Sequence, residues 1–249
     1  MRVGLFIPCY VDQFYPEVGL ATVEVLRQFG VTVDYPRDQT CCGQPMFNTG
    51  CVEEAKPLAR HLIEVFADHE HVVCPSGSCV AMVRHHYREL LGEGASGADK
   101  VFELCEFLRD VLSIDKIGGR FPHRVGLHQS CHGLRGLRLG AASELVGATE
   151  SKVVGLLQSI EGLEMAELDR PDECCGFGGT FAVEEDAVSC AMGLDRLDDH
   201  SRANVEVMAS VDMSCLMHLS GLAGRRGDAI RFLHVAQILA ESLPARTAR

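Results

Sequence analysis

The chain has 249 residues, of which 47% are hydrophobic and 23% charged, and a formal net charge of −12. That length can bury a substantial core, as one large domain or two smaller ones. The acidic balance argues against a nucleic-acid backbone or an anionic membrane surface as the main partner.

The N-terminal MRVGLFIPCY carries only a short apolar stretch and reads as a first strand, not a signal peptide. No apolar run approaches the roughly 20 residues that span a bilayer, so no transmembrane segment is expected. The expected location is the cytoplasm. In a reducing compartment the 12 cysteines are not expected to form a disulfide framework. Buried thiols, catalytic thiols and metal ligands remain as readings.

In chain order, VGLFIPCY (3–10) is a strand that ends at Cys9. PEVGLATVEVLRQFG (16–30) has apolar residues at helical spacing and stops at Gly30. VTVDY (31–35) is a short β-branched strand, and TCCGQP (40–45) follows as a turn. CVEEAKPLARHLIEVFADH (51–69) is a second helix, kinked or begun at Pro57. HVVCP is a strand, SCVAMVRHHYRELL (78–91) a helix, and FELCEFLRDVL (102–112) a closing helix. The pattern then breaks at IGGRFPH (117–123).

The second half repeats the first. HRVGLHQSCH (123–132) ends in Cys131 as the first strand ends in Cys9, and DECCGFGGTF repeats the paired cysteines after a strand at GLEMAEL (162–168). VMASVDMSCLMHL (207–219) parallels HVVCPSGSCVAMV (71–83), and RFLHVAQILAESL (231–243) is the second closing helix. Four matches in register imply duplication. The expected fold is α/β: two tandem pseudo-twofold lobes, residues 1–118 and 119–249, each a mainly parallel sheet flanked by helices.

In such sheets ligands gather beyond the carboxyl ends of the strands. Cys9, Cys41, Cys42 and Cys79, with Cys131, Cys174, Cys175 and Cys215, can all converge on that rim. Adjacent cysteines suit a single tetrahedral zinc poorly, because zinc pairs are usually separated by two to four residues. They suit a polynuclear cluster, in which each thiolate binds a different iron. Gly43, Gly176, Gly178 and Gly179 would let backbone amides approach sulfur. A structural zinc site, or buried thiols beside turn glycines, remains the alternative.

Cys51, Cys105 and Cys190 have no repeated counterpart and read as core residues, with Cys74 ambiguous. His128 and His132 flank Cys131 and His218 follows Cys215, so ligand, proton-carrying and hydrogen-bonding roles are all open to them. His85 and His86 read as a solvated helix face beside Tyr87 and Arg88; Arg135 and Arg138 sit one turn apart, where they could meet a carboxylate or an acidic partner. GFGGTF lacks the G-x-G-x-x-G spacing of a nucleotide fingerprint, and no paired-carboxylate or Ser-His-Asp set emerges.

On the CCG turns, PSGSC (75–79), LHQSCHGLR (127–135), CCGFGGTF (174–181) and DMSCLMH (212–218), essentially the whole chain resembles the cysteine-rich CCG-domain proteins. That family includes heterodisulfide reductase B subunits, glycolate oxidase iron–sulfur subunits and lactate-utilization proteins. The resemblance implies an iron–sulfur electron-transfer subunit of a multi-subunit system oxidising L-lactate to pyruvate. It would be an oxidoreductase subunit without a self-contained active site. It also implies two companions, a ferredoxin-like iron–sulfur subunit and a third small subunit. The implied ligands are Cys9, Cys41, Cys42 and Cys79 for one [4Fe–4S] cluster, and Cys131, Cys174, Cys175 and Cys215 for another, with His132 beside the second. The family's fuller pattern ends each module in C-x-x-C; here Ser76 and Asp212 stand at the first position of that pair. The five-cysteine cluster, and with it a thiol–disulfide reductase activity, is therefore the lesser expectation. VEEDAVS (183–189) is more acidic than the family pattern suggests. The glycine-rich second turn and its histidines predict that the second cluster has the higher reduction potential.

Overall fold

The structure, a computed structural model of the chain, describes residues 1–146 and 150–244. The first half forms β1 (Arg2–Leu5), α1 (Cys9–Phe14), α2 (Pro16–Gln28), β2 (Thr32–Asp34), α3 (Gln44–Asn48), α4 (Val52–Val65) and β3 (Val72–Cys74). It continues through α5 (Gly77–Ala81), a π-helical turn (Met82–His86) and α6 (Tyr87–Leu91) to β4 (Val101–Glu103) and α7 (Leu104–Glu106). The second half begins with β5 (Arg124–Leu127), a π-helical turn (His132–Gly136), α8 (Lys152–Gln158) and β6 (Glu164–Met165). It ends with α9 (Phe181–Glu184), α10 (Asp186–Arg202), β7 (Val207–Ser210), α11 (Met213–Arg226), β8 (Arg231–His234) and α12 (Val235–Ser242).

Each half builds one four-stranded sheet, ordered β2-β1-β3-β4 and β6-β5-β7-β8, with every pairing parallel. Helices cover both faces, which is why β3 and β7 are buried along their whole length and read as unbroken apolar runs. The fold is α/β with two similar lobes, as the repeat predicts. Two strands were hidden in the sequence. Phe102 and Glu103 belong to β4, and the whole of RFLH is β8, although both stretches read as starts of helices. These strands are short and run straight into the helices that follow, so their apolar residues merge with the helical pattern. Pro57 lies inside α4, which starts earlier, at Val52; the missing amide costs the helix a hydrogen bond without ending it.

Two features lock the lobes together. The closing helix α12 of the second lobe packs on α2 of the first, and α7 of the first lobe packs on α8 of the second. Within the second lobe, the Arg120 amide donates to the Ser242 carbonyl at 2.9 Å and ties the start of that lobe to α12. The apolar core runs through both lobes as one cluster. Among the described residues no helix is long and apolar enough to cross a membrane.

Candidate metal centre

The same local plan delivers four cysteines in each lobe. Cys9 opens α1 beyond β1, and Cys131 stands just before the first π-turn residue beyond β5. Neither ends its strand, as the sequence suggested, because β1 and β5 stop earlier. Cys41–Cys42 and Cys174–Cys175 lie on the loops after β2 and β6. Cys79 and Cys215 sit in the first turns of α5 and α11. All eight line a single cavity of about 110 Å³ between the lobes, together with His132, Gly178 and Gly179.

Within the first lobe, Cys9 Sγ is 3.8 Å from Cys41 Sγ, and Cys42 Sγ is 3.5 Å from Cys79 Sγ. The following glycine closes each turn. Gly43 and Gly176 adopt φ of 82° and 85°, a left-handed conformation that glycine tolerates without strain. That conformation aims the Gly43 amide at Cys41 Sγ (3.4 Å) and the Gly176 amide at Cys174 Sγ (3.3 Å). A side chain at Gly176 would meet the Ser189 carbonyl at 2.6 Å, so α10 packs hard against the turn.

The electrostatics follow from this crowding. Hydrogen bonds from Cys42 and then Cys9 hold the Cys41 thiol down to about 3. Those involving Cys131 and then Cys175 hold Cys174 down to about 2. Cys9, Cys42, Cys131 and Cys175 move the other way, pushed up by hydrogen bonding to a neighbouring thiol and then by burial. In each set one thiolate is thus favoured while two of its neighbours resist ionisation, because negative sulfurs this close repel. A cation is what would let all four ionise together. Soft thiolates grouped in fours, with backbone amides aimed at sulfur, fit a thiolate-ligated metal or iron–sulfur centre in each lobe.

The positions that break the C-x-x-C pattern have become a contact between the lobes. Asp212 is buried at the N-terminus of α11 but does not cap its own helix. Its carboxylate accepts from Ser76 Oγ (2.7 Å), Ser78 Oγ (2.8 Å) and the Ser78 amide (3.0 Å) across the interface. Ser76 Oγ in turn accepts from the Cys79 amide at 3.2 Å, capping the helix that carries Cys79. Both departures are visible in the sequence, but the 136 residues between them conceal that they meet. Tyr87 is a second omission: far from solvent, its hydroxyl donates to the Cys42 carbonyl at 3.0 Å.

The histidines separate into different roles. His132 lines the cavity, with Nδ1 3.7 Å from Cys131 Sγ and Nε2 3.5 Å from Gln44 Nε2. His128 is fully buried, and its ring nitrogen lies within 4.8 Å of Cys175 and Cys215 sulfurs. Burial pushes its pKa down to about 3. His218 Nε2 lies 3.3 Å from the Ser189 carbonyl, and its ring packs on Phe177. His85 is exposed, as expected, and reaches Gly136 O at 2.9 Å, whereas the half-buried His86 stacks on Phe47.

None of Cys51, Cys74, Cys105 and Cys190 lines the cavity. Cys105 and Cys74 are buried, Cys190 is half-buried, and Cys51 is exposed before α4, so the core reading of Cys51 is corrected. Arg135 pairs with Glu144 (2.6 Å) and Asp172 (3.5 Å), while Arg138 is exposed with φ of 55°. Asp186 stands in the first turn of α10, where its charge faces the positive end of the helix.

Residues 3–84 and 125–220 match the cysteine-rich domain family, CCG. The chain belongs to that family. It is 38% identical over 250 residues to Lactate utilization protein A 2 of Bacillus cereus (strain Q1), covering 98% of this chain and 99% of that protein. It is 39% identical over 246 residues to Lactate utilization protein A of Halalkalibacterium halodurans, covering 96% of each. With the protein of that name from Geobacillus kaustophilus it shares 39% identity over 245 residues, 96% of this chain and 98% of the other. Among solved structures, the glutamate racemase RacE1 of Bacillus anthracis covers 96% of this chain and 79% of its own at 12% identity. Its TM-score is 0.38, too distant a likeness to carry an assignment.

Proposed function

We propose that the chain is the iron–sulfur electron-transfer subunit of a multi-subunit system that oxidises L-lactate to pyruvate. It would hold two [4Fe–4S] clusters, one on Cys9, Cys41, Cys42 and Cys79 and one on Cys131, Cys174, Cys175 and Cys215. The observation that carries this reading is the pair of four-cysteine sets facing one inter-lobe cavity. The curated relatives, named lactate utilization protein A over nearly their full length, supply the physiological context. When bound, such clusters accept and release single electrons at potentials tuned by hydrogen bonds and burial.

The residues of the chain do the rest. Gly43 and Gly176 present amides to the cluster thiolates, Gly178 and Gly179 keep side chains out of the second turn, and His132 stands beside Cys131. The modules correspond to residues 1–118 and 119–249. Reduced thiols of this number fit a cytoplasmic location. By the family resemblance, a ferredoxin-like subunit and a third small subunit complete the system.

Anaerobic purification followed by iron, acid-labile sulfide and zinc analysis tests the reading. The expected result is about four irons and four sulfides per lobe. About one zinc per lobe with no labile sulfide would replace it with a structural metal site.

A further inference from the structure

Duplication gives the two lobes matching elements, so equivalent segments can be compared position by position. β1 and β5 share the sequence RVGL, which sets Phe6 against His128. One constant shift carries the buried residues Ala55, Ala59, Leu62 and Phe66 of α4 and its C-terminus onto Ser189, Gly193, Arg196 and His200 of α10. The turn glycines confirm that shift: Gly43 faces Ala55 and Leu58, and Gly176 faces Ser189 and Met192. So does the strand glycine, because Gly4 faces Phe66 and Gly126 faces His200.

The comparison exposes one chemical difference behind the cysteines. In the first lobe the layer is apolar: Phe6, Leu62 and Phe66 are buried, with Phe6 edge-on to Phe66 at 6.0 Å. In the second lobe the same three places hold His128, Arg196 and His200, each 0% exposed. Arg196 donates through Nη1 to Asp199 Oδ2 at 3.0 Å and to the Arg170 carbonyl, while its Nε and Nη2, like His200 Nε2, have no partner among the described residues. His200 Nδ1 lies 2.8 Å from the Arg196 carbonyl. His128 is not engaged. Among the described residues neither of its ring nitrogens has a hydrogen-bond partner. A neutral imidazole always carries one N–H, and burying it unsatisfied destabilises the fold. Cysteine sulfurs lie close to it, those of Cys175 and Cys215 within 4.8 Å.

We propose that His128 donates a ring N–H hydrogen bond to the Cys175–Cys215 thiolates of the loaded second centre, and that this contact raises that centre's reduction potential above that of the first. The proposal rests on the two-cluster reading and adds to it the residue that makes the clusters unequal. A donor aimed at thiolate sulfur offsets the extra negative charge of the reduced state. Phe6 can offer nothing of the kind, so the asymmetry follows from one side chain at equivalent positions. Of the two histidines in this layer, His128 is the one grouped with the Cys175 and Cys215 sulfurs.

The test uses the full-length, anaerobically loaded chain labelled with ¹⁵N-histidine. Iron and sulfide content comes first, since a chain without labile sulfide defeats the two-cluster reading and not the assignment of His128. His128→Phe installs the residue that the first lobe buries at the equivalent position. Pulsed electron paramagnetic resonance of the reduced protein should reveal a weak nitrogen coupling that survives His132→Gln and disappears in His128→Phe. In a Cys42→Ser background, where the remaining signal is that of the second module, a redox titration should find a lower potential for His128→Phe. His128→Gln, which keeps an N–H, should fall between. An unchanged potential in His128→Phe at full iron content, or no histidine coupling, overturns the proposal, as does a coupling of the strength of direct iron–nitrogen ligation. Should His128→Phe fail to load, the wild-type coupling and the His128→Gln potential decide alone.

Discussion

Replacing Asp212 with alanine probes the contact that holds the two cysteine sets at a fixed separation. The carboxylate takes hydrogen bonds from two hydroxyls at 2.7 and 2.8 Å and from one amide at 3.0 Å, all from the first lobe. Hydrogen bonds to charged groups contribute roughly 1.5–3 kcal/mol each, but the three losses do not add. Ser76 and Ser78 hydroxyls already lie 3.2 Å apart and can turn to one another. The Ser78 amide cannot turn, and it loses its acceptor. Asp212→Ala should therefore cost about 3 kcal/mol, one strong bond plus a partly buried orphan donor. Urea unfolding of the reduced, metal-free chain under anaerobic conditions measures this. A double-mutant cycle with Ser76→Ala should give a coupling of about 1–2 kcal/mol, since the two side chains are in direct contact. A cost below about 1 kcal/mol, or no coupling, would refute the idea that this pair latches the lobes.

Two further outcomes follow from burial and charge. Alanine at Cys51, Cys105 or Cys190 should leave metal content unchanged. Only Cys105, which is buried, should lose about 1 kcal/mol or more of stability; loss of iron in any of the three would show a misassigned ligand. Burial pushes the Glu103 carboxyl from 4.5 up to about 8. Because the folded-state value is raised, the stabilising effect of the protonated carboxyl is complete below 4.5 and lost as pH rises through about 8. Between those limits each step of one in pH removes about 1.4 kcal/mol. Glu103→Gln should thus unfold at a higher temperature than the parent near pH 9 and close to it near pH 4. Parallel melting curves across that range would expose the opposite trend.

Much of this was legible in the sequence for a physical reason. Parallel strands covered on both faces read as short apolar runs, and residues just beyond their carboxyl ends reach one rim. Aligning Cys9 with Cys131, the two CCG turns and Cys79 with Cys215 on alternating strands and helices therefore pointed to two parallel sheets with four cysteines at each rim. What escaped depended on contacts distant in sequence or on burial that breaks the usual pattern. The Ser76–Asp212 bond spans 136 residues, and each partner alone looks like an ordinary helix start. Arg196 and His200 lie on a helix rich in charge, where such residues normally face water. Aligning α4 with α10 by the shift that the turn glycines fix would have found them, since Leu62 and Phe66 are plainly core residues. Tyr87 hid among His85, His86 and Arg88, whose polarity suggested a wet face.

The duplicated frame makes each departure from symmetry informative, because the matching position states what the fold alone requires. Lobe contact requires close backbones: a Cβ on Gly77 would stand 3.0 Å from Gly133 Cα and 3.2 Å from Asp212 Oδ2. A thiol at position 212 would be a weak acceptor for the two hydroxyls and the amide that converge there, whereas a carboxylate has lone pairs for all three. The exchange of sulfur for oxygen at that position thus trades a potential metal ligand for a fixed spacing between the quartets. The exchange of Phe6, Leu62 and Phe66 for His128, Arg196 and His200 acts instead within the second lobe, where His128 lies near Cys175 and Cys215. On the two-cluster reading the two changes divide the work. One sets how far apart the centres stand, and the other sets which of them an electron prefers.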